Sequence, residues 1–128
     1  MKSKGSRAER ELVAMFWEAG FAALRAPGSG STPLPSPDIL ATNKKKYFAI
    51  ECKSLGSTQK TFKPEDFAQL EQFAKAFCAE PWIGMRFDYD GWYFLQPKEI
   101  KETKKGNFSI TKNFAVSKGI SFEELTKI

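Results

Sequence analysis

Apolar residues along this chain follow two rhythms. Leu12, Val13, Phe16 and Trp17 recur at the spacing of one helix face, and Gly20 follows where such a helix would stop. Ahead of them Ser6-Arg-Ala-Glu9 reads as a capping box, hydroxyl and carboxylate answering each other's backbone amides, so a first helix is predicted to open at Ser6. Phe67, Leu70, Phe73, Ala74 and Phe77 repeat the helical spacing behind Pro64, a residue tolerated in a first helical turn, and Pro81 is expected to close that second helix. Short apolar runs bounded by turn residues predict strands at Phe21 to Arg25, Asp38 to Thr42, Tyr47 to Ser54, Trp82 to Phe87 and Trp92 to Leu95. The second and third would pair as a hairpin across Asn43 to Lys46, with a further short strand at Phe108 to Thr111. A last helix would be capped by Ser121 and Glu124.

The order is therefore helix, three strands, helix, two strands and an irregular tail, which predicts a mixed α/β sheet flanked by helices. A length of 128 residues suits one domain spanning residues 1–128, and no repeat or linker divides it. With 41% hydrophobic and 27% charged residues the composition is that of a globular protein. No apolar run approaches a membrane span, and the charged start is unlike a secretory signal, so an intracellular protein without membrane contact is expected. Cys52 and Cys78 are too few and too far apart for a disulfide framework or a zinc site.

Charge adds a partner class. The net charge is +5, and the cations cluster at Lys2, Lys4, Arg7 and Arg10, at Lys44 to Lys46, and at Lys98, Lys101, Lys104 and Lys105. Such clusters favour a polyanion, because each neutralised phosphate releases condensed counterions, although any one lysine run also reads as a solvated turn.

The candidate chemistry lies in Pro37-Asp38 and Glu51-Cys52-Lys53. Side chains alternate along a strand, so Glu51 and Lys53 share a face roughly 6–7 Å apart while Cys52 points into the core. If Asp38 opens the partner strand, its carboxylate reaches Glu51 across the hairpin. Carboxylates bind Mg²⁺ or Mn²⁺, the metal offsets phosphate charge and activates water, and an ammonium can orient that water or stabilise developing charge. The chain contains no histidine, so imidazole mechanisms are excluded and carboxylate–metal chemistry remains. The plainer reading of the trio is a strand-edge salt bridge with Asp38 as a turn residue. Glu9 likewise has two readings: a helix cap, or an acid on the inward stripe of its helix serving as an additional metal ligand. The Gly, Ser and Pro-rich stretch from Ala26 to Pro37 reads as a loop, unusually long for a small domain without function.

Several motifs occur together in one order: Lys4-Gly5-Ser6-Arg-Ala-Glu9-Arg10-Glu11-Leu12, Gly20-Phe21, Arg25-Ala-Pro-Gly-Ser29-Gly30-Ser31, Pro37-Asp38-Ile39 and Ile50-Glu51-Cys-Lys53-Ser54. From Lys4 to about Leu95 the chain resembles the archaeal-type Holliday junction resolvases of the PD-(D/E)xK nuclease superfamily, shared with restriction enzymes. The resemblance implies a restriction-endonuclease-like fold and a homodimer that cuts paired strands of branched DNA with Mg²⁺, Mn²⁺ substituting, and no nucleotide cofactor. Asp38 and Glu51 would be metal ligands, Glu9 would act at or beside the metal, and Lys53 would be the catalytic lysine. Arg10 and Arg25 would contact phosphate near the cut, with Lys4 and Arg7 in the same basic surface, and Ser29 would assist cleavage. Phe73 and Phe77 match interface aromatics, although their spacing alone reads as core. The alternatives are a PD-(D/E)xK endonuclease acting on duplex DNA, and a basic DNA-binding module without catalysis.

Overall fold

The computed structural model describes residues 4–26 and 33–127. A first helix, α1 (Lys4–Glu18), leads into strands β1 (Ala22–Arg25), β2 (Ile39–Thr42), β3 (Tyr47–Leu55) and β4 (Gln59–Phe62). Helix α2 (Pro64–Phe77), strands β5 (Glu80–Phe87) and β6 (Gly91–Leu95), a 3₁₀ turn at Pro97–Glu99, strand β7 (Phe108–Thr111), and helices α3 (Lys112–Lys118) and α4 (Phe122–Thr126) complete it. The main sheet has five strands in the order β1-β2-β3-β5-β6, and β4 pairs with β7 in a separate ribbon. The sheet is mixed: β3 and β5 run parallel, all other neighbours antiparallel. This is the mixed α/β architecture that the element order predicts.

The sheet has two buried faces. Leu12 and Phe16 of α1 pack with Ile39, Phe48, Ile50 and Cys52 on one side. Phe67, Leu70 and Ala74 of α2 pack with Ala49, Ile83 and Met85 on the other. Alternation along β3 therefore turns Ile50 and Cys52 toward α1, and Ala49, Glu51 and Lys53 toward α2. Burial on both faces explains the near-continuous apolar reading of Phe48 to Ile50.

The structure revises several expectations. Helix α1 already includes Lys4 and Gly5, so Ser6 lies within it rather than at its N-cap position; its hydroxyl accepts from Arg10 Nη1 at 2.9 Å and Arg25 Nη2 at 3.1 Å. The helix ends as expected near Gly20, at φ +89°, with Phe21 N donating to Phe16 O and Gly20 N to Trp17 O. Pro81 does not close α2. The helix stops at Cys78, which takes a left-handed φ of 60°, and Pro81 belongs to β5. The polar stretch after Leu55 contains β4, and the tail holds α3 as well as the expected strand and final capped helix.

Candidate active site

β2 and β3 form the predicted hairpin, Ile39 opposite Ile50, closed by Asn43, whose Oδ1 accepts from the amides of Lys45 and Lys46. Asp38 lies one residue before β2, yet its amide extends the ladder by donating to Ile50 O at 2.9 Å. Its side chain turns to β3, where Oδ2 accepts from Cys52 N at 2.8 Å. That bond fixes a buried carboxylate directly between the two residues of the Glu51–Lys53 pair. Lys53 Nζ stands 3.6 Å from Glu51 Oε2. The convergence read from alternation and hairpin register is thus present.

Helix α1 brings Glu9 to the same place. Its Oε1 accepts from Arg25 Nε at 3.0 Å, tying helix to edge strand. Burial raises the Glu9 pKa, and the Asp38 charge raises it further against the opposing pull of Arg25. Glu51 is driven harder: burial first, then Asp38, push it up to about 7, with Lys53 acting in the opposite direction and Asp66 at the start of α2 adding to the rise. Cys52 behind them is buried, and its thiol is pushed well above its ordinary range by desolvation and the same carboxylates. Among the described residues the strand end is therefore crowded with carboxylates that raise one another, with the Lys53 ammonium beside Glu51.

Arg10, half-buried on α1, and Arg25 on β1 meet at the Ser6 hydroxyl beside this cluster, whereas exposed Arg7 borders a separate cavity with Glu11 and Arg86. Ser29 falls outside the described residues, as does the Lys4 side chain. Phe73 and Phe77 are not brought to this end of the sheet. Phe73 packs partly against the α2 core, whereas Phe77 is 53% exposed and stacks on Phe73 with ring centres 5.3 Å apart. Phe77 also borders an apolar groove of about 340 Å³ with Trp17, Leu24 and Tyr47. The reading of Phe77 as core is thereby corrected.

One polar network had no counterpart in the sequence reading. Glu11 Oε1 accepts from Arg86 Nε at 2.7 Å and from Trp92 Nε1 at 2.8 Å, joining α1 to β5 and β6. The Arg86 hydrogen bond holds the Glu11 carboxyl below its ordinary value. Beside it a polar cavity is lined by Arg7, Ser54, Arg86 and Asp88, and the buried Ser54 Oγ has no hydrogen-bond partner among the described residues. The only sequence signal was a second acid two residues after Glu9, without any indication of its partners.

Comparison with known proteins agrees with this geometry. The family model described as archaeal Holliday junction resolvase (Hjc) matches residues 1–128. The crossover junction endodeoxyribonuclease Hjc of Archaeoglobus fulgidus is 41% identical over 110 residues, which cover 86% of this chain and 80% of that protein. The crossover junction endodeoxyribonuclease Hje of Saccharolobus islandicus is 34% identical over 127 residues, 97% of this chain and 87% of that one. The solved structure of Archaeoglobus fulgidus Hjc, a Holliday junction resolvase from an archaeal hyperthermophile, superposes with a TM-score of 0.89 at 33% identity, covering 96% of this chain and 100% of that one. The chain with this fold and this acid-lined strand end belongs to the archaeal Holliday junction resolvase family.

Proposed function

We propose that residues 1–128 act as one nuclease domain that, as a homodimer inside the cell, hydrolyses paired strands of four-way DNA junctions at a site built on Asp38, Glu51 and Lys53. The observation that carries this reading is the convergence of those three side chains at the end of β3, with Lys53 Nζ 3.6 Å from Glu51 and Asp38 anchored on the intervening amide.

A divalent metal fits this donor set. Among the described residues no three acidic or thiol side chains form a closed metal cluster. Mg²⁺ asks for less: one or two carboxylates, retained waters and oxygens of the substrate phosphate. Asp38 and Glu51 would hold it, and the upward push on Glu51 is what a cation would relieve. When bound, the metal would offset charge on the scissile phosphate and acidify a water. The chain's own groups do the rest. Lys53 orients the attacking water and stabilises charge developing on phosphate oxygens. Glu9, whose carboxylate is engaged by Arg25, would act at or beside the metal. Arg10 and Arg25, with Arg7 and Lys4 on the same helix as Arg10, take backbone phosphates near the cut, and Ser29 assists cleavage.

The dimer reading draws on exposed Phe77, stacked on Phe73 beside the apolar groove with Trp17, Leu24 and Tyr47. A two-fold dimer would present two related sites to the two related strands of a junction.

The deciding experiment compares wild type with Asp38→Asn on a four-way junction and on a linear duplex of equal length, with Mg²⁺. Wild type is expected to cut the junction preferentially. Asp38→Asn should lower the single-turnover rate by at least about 10³-fold, on the order of 4 kcal/mol of barrier, while junction binding persists. Equal cutting of linear duplex would favour a duplex endonuclease, and an unaffected variant would leave only a DNA-binding module.

A further inference from the structure

The chain beyond Pro97 carries none of Asp38, Glu51 and Lys53, yet it includes Lys101, Lys104 and Lys105. Its fold gives these residues a fixed place. β7 pairs with β4, Gln59 opposite Thr111 and Phe62 opposite Phe108, and Glu102 forms an isolated bridge with Phe108. Phe108 therefore has Phe62 on one side and Glu102 on the other, and the chain between closes as a tight hairpin. Thr103 N donates to Asn107 O at 2.6 Å, and Gly106, at φ +84°, donates from its amide to Thr103 O at 3.0 Å. Buried Phe62, Ile100 and Ile110 hold the base of the ribbon.

Position and charge both point outward from the catalytic centre. β4 begins four residues after Leu55 ends β3 and stops at Phe62, and the next residue, Lys63, precedes α2 and donates from its amide to Asp66 Oδ2 at 3.0 Å. The Phe62–Phe108 end of the ribbon therefore adjoins the first turn of α2, on the sheet face toward which Glu51 and Lys53 turn, whereas Arg10 and Arg25 come from α1 and β1. Lys101, Lys104 and Lys105 are exposed, and none pairs with a carboxylate among the described residues. The acids nearby are otherwise placed: Glu99 Oε1 accepts from Gln96 N at 2.8 Å, and Glu102 lies against Gly106.

We infer that this hairpin is a second phosphate-binding bank, in which Lys101, Lys104 and Lys105 take backbone phosphates of the DNA on the side of the cut away from Arg10 and Arg25. The inference rests on the reading of the site as a junction nuclease. A duplex carries one charge per roughly 1.7 Å of axis, so a strand passing through the acid site presents phosphates to both banks.

The test uses the full chain carrying Lys101→Gln, Lys104→Gln and Lys105→Gln together, with a second variant bearing Arg at all three positions. Junction affinity is measured against salt without metal, and single-turnover cleavage at saturating protein with Mg²⁺. The Gln variant should show a log–log salt slope shallower by about 2–3, since each lost contact removes roughly 0.9. Its saturated cleavage rate should stay within about twofold of wild type, and the Arg variant should restore the slope. An unchanged slope overturns the inference, as does an Arg variant that behaves like the Gln one. A saturated rate falling on the order of 100-fold also overturns it, by making the hairpin part of the catalytic centre. Wild type that neither prefers nor cuts the junction defeats the nuclease reading instead, a result visible before any lysine is changed.

Discussion

Glu9 and Glu11 stand two residues apart on α1 and meet opposite fates. Glu11 receives Arg86 and the Trp92 indole, and its carboxyl is held below the ordinary range. Glu9 receives Arg25, yet burial and the neighbouring Asp38 still raise it. One acid is satisfied and knits helix to sheet. The other joins a cluster in which negative charges oppose one another, and Glu51 at the centre of that cluster is raised to about 7. Satisfied polar groups hold structure together, whereas crowded acids at a strand end persist at a cost to folding and are a mark of chemistry. The difference between the two sides of α1 is therefore a difference between scaffold and site.

pH should separate them most strongly. Glu51 has a folded pKa above its unfolded value, so the folded protein binds this proton more tightly. Its contribution to stability is fully present below about pH 4.5 and is lost as pH rises through about 7, on the order of 3 kcal/mol. Without metal, the melting temperature should fall between pH 5 and pH 8, and Glu51→Gln should flatten that fall. Mg²⁺ should recover more stability at pH 8 than at pH 5, because only the ionised acid has a cation to gain. A profile unchanged by Glu51→Gln would mean that the acids are not mutually strained, and the contrast with Glu11 would lose its basis.

Glu11→Gln comes next. It keeps an acceptor for Trp92 but leaves Arg86 without its charged partner. The pair is substantially open to solvent, with side chains 30% and 44% exposed, so screening keeps the expected cost near 1 kcal/mol. Thermal denaturation should show a drop of about 3–5 °C for a chain of this size. Cleavage of a junction at saturating protein should remain within about threefold of wild type. A loss of 100-fold in cleavage with an unchanged melt would place Glu11 inside the catalytic centre and erase the distinction.

The two sides of α1 were also unequally legible in the sequence. Asp38, Glu51 and Lys53 could be placed because strand alternation and a short hairpin are local rules, and both operate within a few residues. Glu11 could not, since its partners lie 75 and 81 residues away and nothing in Arg86 or Trp92 announces the contact. β4 was unreadable for a related reason. Gln59-Lys-Thr-Phe62 is too polar to signal a strand, and it becomes one only through β7, with Gln59 Nε2 donating to Ser109 Oγ across 50 residues. Phe77 failed differently: helical spacing shows which residues share a stripe, not how far burial extends along it, and Phe77 at the end of α2 stays 53% exposed.

Ser6 gives the smallest effect and the finest discrimination. As a helix cap it would satisfy a backbone amide, and removing it would cost about 1 kcal/mol. In the structure it lies within α1 and accepts from two guanidinium groups, Arg10 and Arg25, that also have solvent within reach. Ser6→Ala is therefore expected to lower stability by only a few tenths of a kcal/mol in urea denaturation, with the slope against urea unchanged. Its consequence should appear instead in DNA binding. Arg10 and Arg25 lose the hydroxyl that holds both side chains over the acid site, so junction affinity should fall about two- to threefold while the saturated cleavage rate holds. A loss near 1 kcal/mol with unaltered binding would return Ser6 to the scaffold side of α1, with Glu11.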